Sequence, residues 1–425
     1  MSEKPVPTRL RDRARHTRRL LGASARAGAR RLVRRSELDD LVFGEALFDE
    51  LDAMKGMAMK VGQILSYMDG TLPAETQRAL AKLQQGVQAV PFETIEEVLV
   101  TELGGSIAER FDTFEREPVA AASIGQVHRA TLRGQAVAVK VQYPGVRQTF
   151  EADMQQLSRL ARLASLASQV DGLAIVAELR DRVLEECDYL AEARWTRRFA
   201  SAFADLPEIR VPEVIDDRST ARVLTTAWCE GRDLETFIAE STPEQRTRAA
   251  LILTRFAWRS LWRDGVIHAD PHPGNQRYAQ GVGDDGRASG QVIFLDFGCV
   301  RDFEPDYLAR ERAVLDAVLA GDRARFREAT LATGMVAKSR GFDWDIQWAM
   351  TRHLWEPYLT PTFRFTSEYI QRVAEFSRPT NPNLQRLAIP PPWIWLQRLT
   401  WGLHSVLARM GARGPFAGVL HEALD

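Results

Sequence analysis

Three short motifs in a fixed order restrict the possible folds of this chain more than any other feature. A lysine ends the alternating run Val137-Ala138-Val139-Lys140, which predicts a β-strand carrying Lys140. A polar loop is predicted at His268-Ala269-Asp270-Pro271-His272-Pro273-Gly274-Asn275, where Asn275 follows Asp270 by five residues. Asp296-Phe297-Gly298 follows an apolar run, so Asp296 is predicted at the end of a strand. Chance does not readily give this order over so long a stretch of chain.

These residue types suit phosphate and metal chemistry. A strand lysine that faces a small-residue loop can bridge the α- and β-phosphates of a nucleotide. The Asp–Asn spacing is typical of a kinase catalytic loop, in which the aspartate orients the acceptor proton and the asparagine oxygen holds a metal ion. The predicted catalytic residues are therefore Lys140, Asp270, Asn275 and Asp296, with Asn275 and Asp296 as metal ligands.

The hydrophobic periodicity predicts an α+β fold with two lobes. Two β-hairpins are expected, one at 127–141 around the turn Arg133-Gly134-Gln135 and one beginning after Asn275. Further strands are predicted at 211–215 and 222–226. The predicted helices cover 36–90, 95–103 after a Thr94/Glu97 capping box, 147–203 with an interruption near Asp171-Gly172, and nearly everything from Asp306 to the end.

Charge and composition divide the chain further. Residues 1–35 carry twelve basic side chains and two acidic ones, which suits an anionic membrane surface or a solvated terminus. A transit peptide has the same composition, whereas a secretory signal and an 18-residue apolar run are both missing. Three isolated cysteines are interpreted as buried thiols in a reducing compartment. The predicted location is cytoplasmic, with peripheral membrane contact as the alternative.

The chain resembles the UbiB/AarF family of atypical kinases, also called the ABC-one family. Lys60-Val61-Gly62-Gln63 matches the KxGQ motif of that family, and residues 120–127 match its Ala-rich loop. Glu186-Cys187-Asp188 matches the ExD motif, and Glu192 occupies the position of the glutamate that pairs with the strand lysine. The resemblance extends from about residue 36 to the end.

The resemblance implies a two-lobed, protein-kinase-like fold with a helical N-terminal extension. The expected parts are a basic tail at 1–35, a KxGQ extension at 36–110, an N-terminal lobe at 111–226 and a helical C-terminal lobe at 227–425. ATP and Mg²⁺ are the implied cofactors. The residues expected around them are Ala120, Ala121, Ala122, Ser123, Gly125, Gln126, Lys140, Glu192, Lys60, Gln63, Glu186 and Asp188.

Two further features argue against a general protein kinase. A helix is predicted from about Asp306, soon after Gly298, so the activation segment that docks peptides is missing. Ala269 replaces the arginine that usually precedes the catalytic aspartate. The expected phosphoryl acceptor is therefore a small molecule or a prenyl lipid. The alternative is that ATP hydrolysis drives the movement of a lipid. The family suggests isoprenoid quinone biosynthesis, and no specific nucleic-acid partner is expected.

Other interpretations fit part of the pattern. Aminoglycoside or choline kinases share the His-x-Asp-x-x-x-x-Asn loop but lack the KxGQ motif, and a catalytically weak nucleotide sensor would keep the same residues. His268, Asp270 and His272 could form a metal site, which would leave Lys140, Asn275 and Asp296 unexplained. Six of the ten tryptophans lie between Trp344 and Trp401, as core residues or as an apolar groove for a prenyl tail.

Overall fold

The computed structural model describes residues 89–121, 124–148, 150–151, 154–155, 158, 180, 184–270, 272–282, 288–376, 380–388 and 390–425. Several predictions of the sequence lie outside these residues. They are the basic tail, the helices predicted before Val90, the KxGQ residues Lys60 and Gln63, the loop residues Ala122 and Ser123, and most of the interruption near Asp171.

The chain divides into two compact units. The first ends at Tyr189 and takes in Arg218–Thr225, and the second comprises Leu190–Asp217 and Thr226–Asp425. The predicted division into lobes at residue 226 stays a prediction.

The first unit is built around a five-stranded sheet in the order β1-β3-β4-β6, with β2 paired to β3. Its elements are α1 (Phe92–Leu103), α2 (Ile107–Arg110), β1 (Thr113–Phe114), β2 (Ala120–Ala121), β3 (Gly125–Leu132), β4 (Gln135–Gln142) and β6 (Val223–Ala227), the last of which continues into the second unit.

The β3–β4 hairpin confirms the predicted alternation. Its turn places Arg133 and Gly134 at φ 52° and 74°, the left-handed pair of a tight two-residue connection. Val137, Val139 and Val141 are at most 2% exposed on one face of β4, where helix α1 packs. Lys140 lies on the opposite face, because neighbouring residues of a strand point to opposite sides.

The start of helix α1 differs from the prediction. The helix begins at Phe92 and not at Ile95, and the Thr94 N–H donates to the Pro91 carbonyl at 3.1 Å. The proline occupies the N-cap, where its fixed φ suits the approach to a helix. A capping box does occur, at Ser106 and Glu109 of helix α2. The predicted end is confirmed, since Gly104 adopts φ 69° after Leu103.

The second unit is mainly helical. Its elements are α3 (Tyr189–Ala202), which begins on the last residue of the first unit, β5 (Ile209–Arg210), α4 (Leu234–Glu240), α5 (Pro243–Trp262), β7 (Val266–His268), β8 (Gln276–Val282), β9 (Ala288–Phe294), β10 (Val300–Asp302), α6 (Pro305–Leu319), α7 (Arg323–Ala332), α8 (Trp344–Trp355), β11 (Phe363–Arg364), α9 (Ser367–Gln371), α10 (Val373–Phe376), α11 (Pro391–Arg409), β12 (Arg413–Gly414) and α12 (Phe416–Leu424). The strands pair as β5-β9-β8, β7-β10 and β11-β12.

Aromatic rings fix the centre of this unit. Phe256 of helix α5 stacks on Phe294 of β9, with centroids 3.6 Å apart. Phe199 of helix α3 contacts both Phe256 and Phe297, at 5.5 and 4.8 Å between centroids. Phe297 is the aromatic residue of the Asp-Phe-Gly motif and is fully buried. The core therefore holds the residues on either side of Phe297 in a fixed place.

Several element predictions were wrong in the second unit. Residues 211–213 are not a strand. Strand β5 instead lies at Ile209–Arg210 and pairs in parallel with β9, while Val214 makes an isolated bridge to Thr226. Pro212 explains the shift, because it cannot donate a ladder hydrogen bond. The predicted helical C-terminal region also contains the short strands β11 and β12.

The predicted burial of the cysteines and tryptophans is confirmed only in part. Cys187 is buried, whereas Cys229 and Cys299 are half-buried. Burial raises the pKa of the Cys187 thiol to about 11, and the nearby Glu186 carboxylate adds to the effect. Of the tryptophans between 344 and 401, Trp355 is buried, and four others pack at the edge of the core: Trp344, Trp348, Trp395 and Trp401.

A membrane-crossing helix would need about 20 mostly apolar residues. Within the residues that the structure describes, no helix combines that length with sufficient apolar character.

Candidate active site

The loop that carries Asp270 is held by two antiparallel strands. Strand β7 ends at His268, which lies opposite Val300 of β10. The Ala269 N–H continues the ladder by donating to the Cys299 carbonyl at 2.8 Å. The His268 Nε2–H donates to the Asp296 carbonyl oxygen, and its ring packs edge-on against Phe297 with centroids 5.3 Å apart. The predicted catalytic loop and the Asp-Phe-Gly motif are thus joined through backbone and side chain.

Asn275 links this loop to the second hairpin. It ends a short 3₁₀ turn, Pro273–Asn275, directly before strand β8. Its carbonyl accepts from the Leu295 N–H at 2.9 Å, so Asp296 follows where β9 ends beside it. Its side-chain Nδ2 donates to Asp270 Oδ2 at 2.8 Å. The five-residue spacing therefore brings the two predicted side chains into direct contact.

Asp296 lies in a tight turn beside Glu192. Its Oδ1 accepts from the Gly298 N–H at 2.9 Å, which fixes the carboxylate at the strand end. A Cβ at Gly298 would lie 3.2 Å from Asp296 Oδ1 and 3.5 Å from Glu192 Oε2. Glu192, on helix α3, is only 3% exposed. The predicted Glu192 and Asp296 thus flank the same glycine.

A residue that the sequence analysis missed also contacts Asp270. Arg398 of helix α11 donates from Nη2 to Asp270 Oδ1 at 3.0 Å. No local pattern marks it, since it lies 128 residues after its partner. Nothing in the sequence around Asp270 points to a residue so far along the chain.

The donor atoms at this site suit Mg²⁺. Mg²⁺ prefers oxygen ligands and is usually held by one or two carboxylates together with phosphate oxygens and waters. The Asp296 carboxylate can supply one oxygen. Asn275 can supply Oδ1, because its Nδ2 is engaged by Asp270. The two predicted ligands therefore fit a metal that is completed by a nucleotide.

A zinc- or iron-type site around the two histidines finds no support in this geometry. His272 is exposed, and its Nδ1 accepts from the Gly274 N–H at 3.0 Å. His268 directs Nε2 at a backbone carbonyl. Among the described residues there is no group of three His, Cys, Asp or Glu side chains that could hold a metal ion.

Within the first unit, Lys140 lies beside an aromatic ring. Its Nζ is 5.0 Å from the centroid of Tyr189, which begins the helix that carries Glu192. Lys140 is opposite Val127 on β3, two residues beyond Gly125. The predicted Lys140–Glu192 pair joins residues of different units and stays a prediction.

Gly125 is the glycine of the Ala-rich loop that the fold requires. A Cβ there would meet the Val141 carbonyl oxygen at 2.3 Å and the Tyr189 hydroxyl at 2.9 Å. Ala120 and Ala121 are exposed and form β2, paired with Val127 and Gln126. The loop backbone therefore passes close to the strand that carries Lys140.

The side chain of Gln126 points away from the Lys140 face, and its predicted contact with the cofactor stays a prediction. Gln126 is fully buried; its Oε1 accepts from the Val90 N–H at 3.0 Å and its Nε2 donates to His128 Nε2 at 3.0 Å. Strand alternation puts Gln126 and His128 on one face and Val127 and Lys140 on the other. Any contact of Gln126 with a nucleotide would come from its backbone.

The ExD residues precede helix α3. Glu186 and Asp188 are half-buried, and the Asp188 N–H donates to the Glu185 carbonyl at 3.0 Å. The buried Gln142 amide donates to the Cys187 carbonyl at 2.8 Å, which attaches this segment to strand β4. Their predicted place near the phosphates stays a prediction.

The connection after the Asp-Phe-Gly motif is short, as expected. Gly298 is followed by strand β10 at Val300–Asp302 and by helix α6 from Pro305. A peptide-docking activation segment therefore has no room between the motif and the next helix.

Comparison with known proteins gives a consistent result. The ABC1 atypical kinase-like domain matches residues 82–330. The chain is 30% identical over 381 residues to the mitochondrial atypical kinase COQ8 of Saccharomyces cerevisiae, covering 87% of this chain and 73% of the yeast protein. It is 35% identical over 255 residues to the chloroplastic Protein ACTIVITY OF BC1 COMPLEX KINASE 8 of Arabidopsis thaliana, covering 58% of this chain and 33% of that protein.

A solved structure is also similar. The complex of Rv3197 from Mycobacterium tuberculosis with erythromycin superimposes with a TM-score of 0.67 at 29% identity, covering 89% of this chain and 95% of that one. The fold is thus kinase-like and α+β, as expected from the motifs. The chain belongs to the ABC1 atypical kinase-like family, which includes the UbiB and COQ8 proteins.

Proposed function

We propose that this protein binds Mg-ATP and is an ATPase or a phosphotransferase for a small-molecule or lipid acceptor. One observation carries the proposal: the Asn275 amide holds the Asp270 carboxylate at 2.8 Å, in a loop joined to Asp296 through the second hairpin. The arrangement places a base, Asp270, beside two oxygen ligands for a metal, Asn275 and Asp296, as phosphoryl transfer requires.

These contacts support the roles that we propose for Asp270, Asn275 and Asp296. Asp270 orients and accepts the proton of the attacking hydroxyl or water, and Asn275 holds one oxygen of its carboxylate. Asn275 Oδ1 and Asp296 hold Mg²⁺, which would neutralise charge that develops on the phosphates. Lys140 binds the α- and β-phosphates, and Glu192 pairs with it.

The family motifs are proposed to enclose this site. Lys60, Gln63, Glu186 and Asp188 gate the phosphates, and residues 120–126 line the nucleotide with backbone atoms. The short connection between Gly298 and helix α6 supports a small or lipid-linked acceptor over a peptide. A link to isoprenoid quinone biosynthesis fits the kinship with the COQ8 proteins.

The basic tail at 1–35 is proposed to contact anionic lipid, which would place the protein at a membrane periphery. Curated relatives are named as mitochondrial or chloroplastic. Co-sedimentation with anionic liposomes, with and without residues 1–35, tests this proposal. Equal pelleting of both forms would contradict a role of the tail as anchor.

Thermal unfolding with and without Mg²⁺ and ATP or ADP tests the nucleotide site. A ligand at about a hundred times its Kd stabilises by roughly 2.7 kcal/mol, which raises Tm by a few degrees in a chain of this size. We expect a Mg-dependent rise that Asp296→Asn abolishes. Asp302→Asn, which removes an exposed carboxylate from β10, should keep it.

ATP turnover then separates an enzyme from a nucleotide sensor. Release of phosphate, or its transfer to an acceptor, should exceed the Asp296→Asn background by at least tenfold. A Mg-dependent shift without turnover would instead support the sensor. No shift with either nucleotide would contradict the proposed site.

A further inference from the structure

We propose that Arg398 is a positioning residue for Asp270, so that the C-terminal helix α11 completes the candidate active site. This inference rests on the proposed function for the reaction itself. The contact that motivates it is a separate observation and can be tested without turnover.

The contact is direct and largely shielded from solvent. Arg398 Nη2 lies 3.0 Å from Asp270 Oδ1, and the two side chains are only 14% and 28% exposed. Charge-assisted hydrogen bonds of this kind are stronger than neutral ones, and shielding strengthens them further. The pair is therefore unlike the exposed ion pairs that contribute little.

The two oxygens of Asp270 have different donors. Asn275 Nδ2 binds Oδ2 at 2.8 Å, and Arg398 Nη2 binds Oδ1. The terminal torsion of an aspartate is broad, so a donor on one oxygen alone restrains the carboxylate weakly. Donors on both oxygens fix the plane of the carboxylate. Arg398 thus supplies the second restraint on the proposed base.

Packing in turn fixes Arg398. Its guanidinium carbon lies 5.6 Å from the ring centroid of Trp395, one turn earlier on α11, and Arg301 of β10 lies 4.7 Å from the same ring. Leu399 and Leu403, on the same helix, are 4% and 6% exposed in the core. The arginine is therefore placed by the fold of the second unit and not by its own flexible chain.

The cation beside Asp270 does not come from the residue that precedes it in the loop. Ala269, directly before Asp270, is fully buried and carries no charge. The cation comes instead from a helix that begins at Pro391, whereas the family match ends at residue 330. The segment that matches the family and the C-terminal helix α11 would together form the site.

Steady-state ATP turnover of three variants tests the proposal. Arg398→Ala should lower kcat about 100-fold, as expected for a catalytic group shifted by about 1 Å, and leave the KM for ATP within about twofold. Arg398→Lys should recover part of the loss, because it restores the charge without the planar fork. Arg409→Ala, on the same helix but paired with the exposed Glu235, should match the parent.

An unchanged or increased kcat in Arg398→Ala would overturn the proposal, since an increase would mean that the arginine restrains an inactive state. So would a loss that appears only in KM. Thermal unfolding of each variant shows whether it is folded, and Arg398→Lys is the variant that keeps the packing.

A double-mutant cycle keeps the inference testable if the parent protein shows no turnover. Arg398→Gln, Asp270→Asn and the double variant are compared by Tm. If the two single losses were additive, their sum would give the Tm of the double variant. A measured Tm several degrees above that value supports the positioning contact. Additive losses would overturn it. Failure of the proposed function would appear elsewhere, as missing turnover and a missing Mg-nucleotide shift in the parent.

Discussion

At the scale of single residues, Asp270 is held by side chains from two distant parts of the chain. Asn275 comes from the same loop, and its contact could be predicted because a five-residue spacing fixes it. Arg398 could not be predicted, since its approach depends on how helix α11 packs in the core. Gln126 shows a different limit: the motif identified the residue, and strand alternation turned its side chain away.

The glycine of the Asp-Phe-Gly motif gives a prediction at this scale. Gly298→Ala places a Cβ 3.2 Å from Asp296 Oδ1 and 3.5 Å from Glu192 Oε2. Because the Asp296 carboxylate must shift by a few tenths of an ångström, whereas Glu192 stays at an ordinary contact distance, we expect kcat to fall about tenfold, with the Mg-nucleotide shift in Tm reduced. Gly418→Ala, where the added Cβ meets nothing within 4 Å, is the control. Parent-like turnover in Gly298→Ala would show that the Asp296 carboxylate does not need its present position.

At the scale of elements, hydrophobic periodicity correctly predicted the elements whose form depends only on residues close together in the chain. The β3–β4 hairpin has alternating residues and a turn that accepts positive φ, so both its strands and its register were accessible. Strand β5 was placed two residues too late, because it is defined by a parallel partner far along the chain. Helix α1 begins three residues earlier than predicted because Pro91, and not Thr94, occupies the N-cap.

The hairpin carries a second prediction. Gly125→Ala brings a Cβ to 2.3 Å from the Val141 carbonyl oxygen, a backbone atom that cannot rotate away. The strands must separate locally, so we expect a loss of about 1–3 kcal/mol in the free energy of unfolding by urea. Gly290→Ala in β9, where the nearest atom lies 3.7 Å away on the flexible Arg248 side chain, should change it little. Equal stability of the two variants would contradict the close approach.

At the scale of the whole molecule, the fold class followed from the sequence, and the buried polar network near the C-terminus did not. His404 is fully buried between two tyrosines. The Tyr369 hydroxyl donates to the Leu354 carbonyl at 3.3 Å and so accepts from His404 Nδ1, while Tyr358 donates to Nε2 at 3.0 Å. Such a network forms only when helices α8, α9 and α11 have packed.

This network makes the stability of the protein depend on pH. Complete burial lowers the pKa of His404 to about 3, from an ordinary value of 6.5, and His353 adds to the effect. Above pH 6.5 the imidazole is neutral in the folded and the unfolded chain, so its contribution to stability is complete. As pH falls below 6.5, only the unfolded chain binds the proton, and stability is lost progressively down to about pH 3.

We therefore expect the free energy of unfolding to fall by up to about 1.4 kcal/mol per pH unit through His404 alone, measured by urea unfolding from pH 7.5 to 4.5. Burial also lowers the pKa of His128 and raises that of Glu311, so the test compares two proteins in which those groups are identical. In His404→Gln the amide can accept from Tyr358 and donate to Tyr369 without titrating. The difference between parent and variant should narrow steadily below pH 6.5, because only the parent loses stability through position 404. A difference that stays constant with pH would show that His404 is not held neutral, and that the tyrosine pair tolerates a charge in the centre of the helical unit.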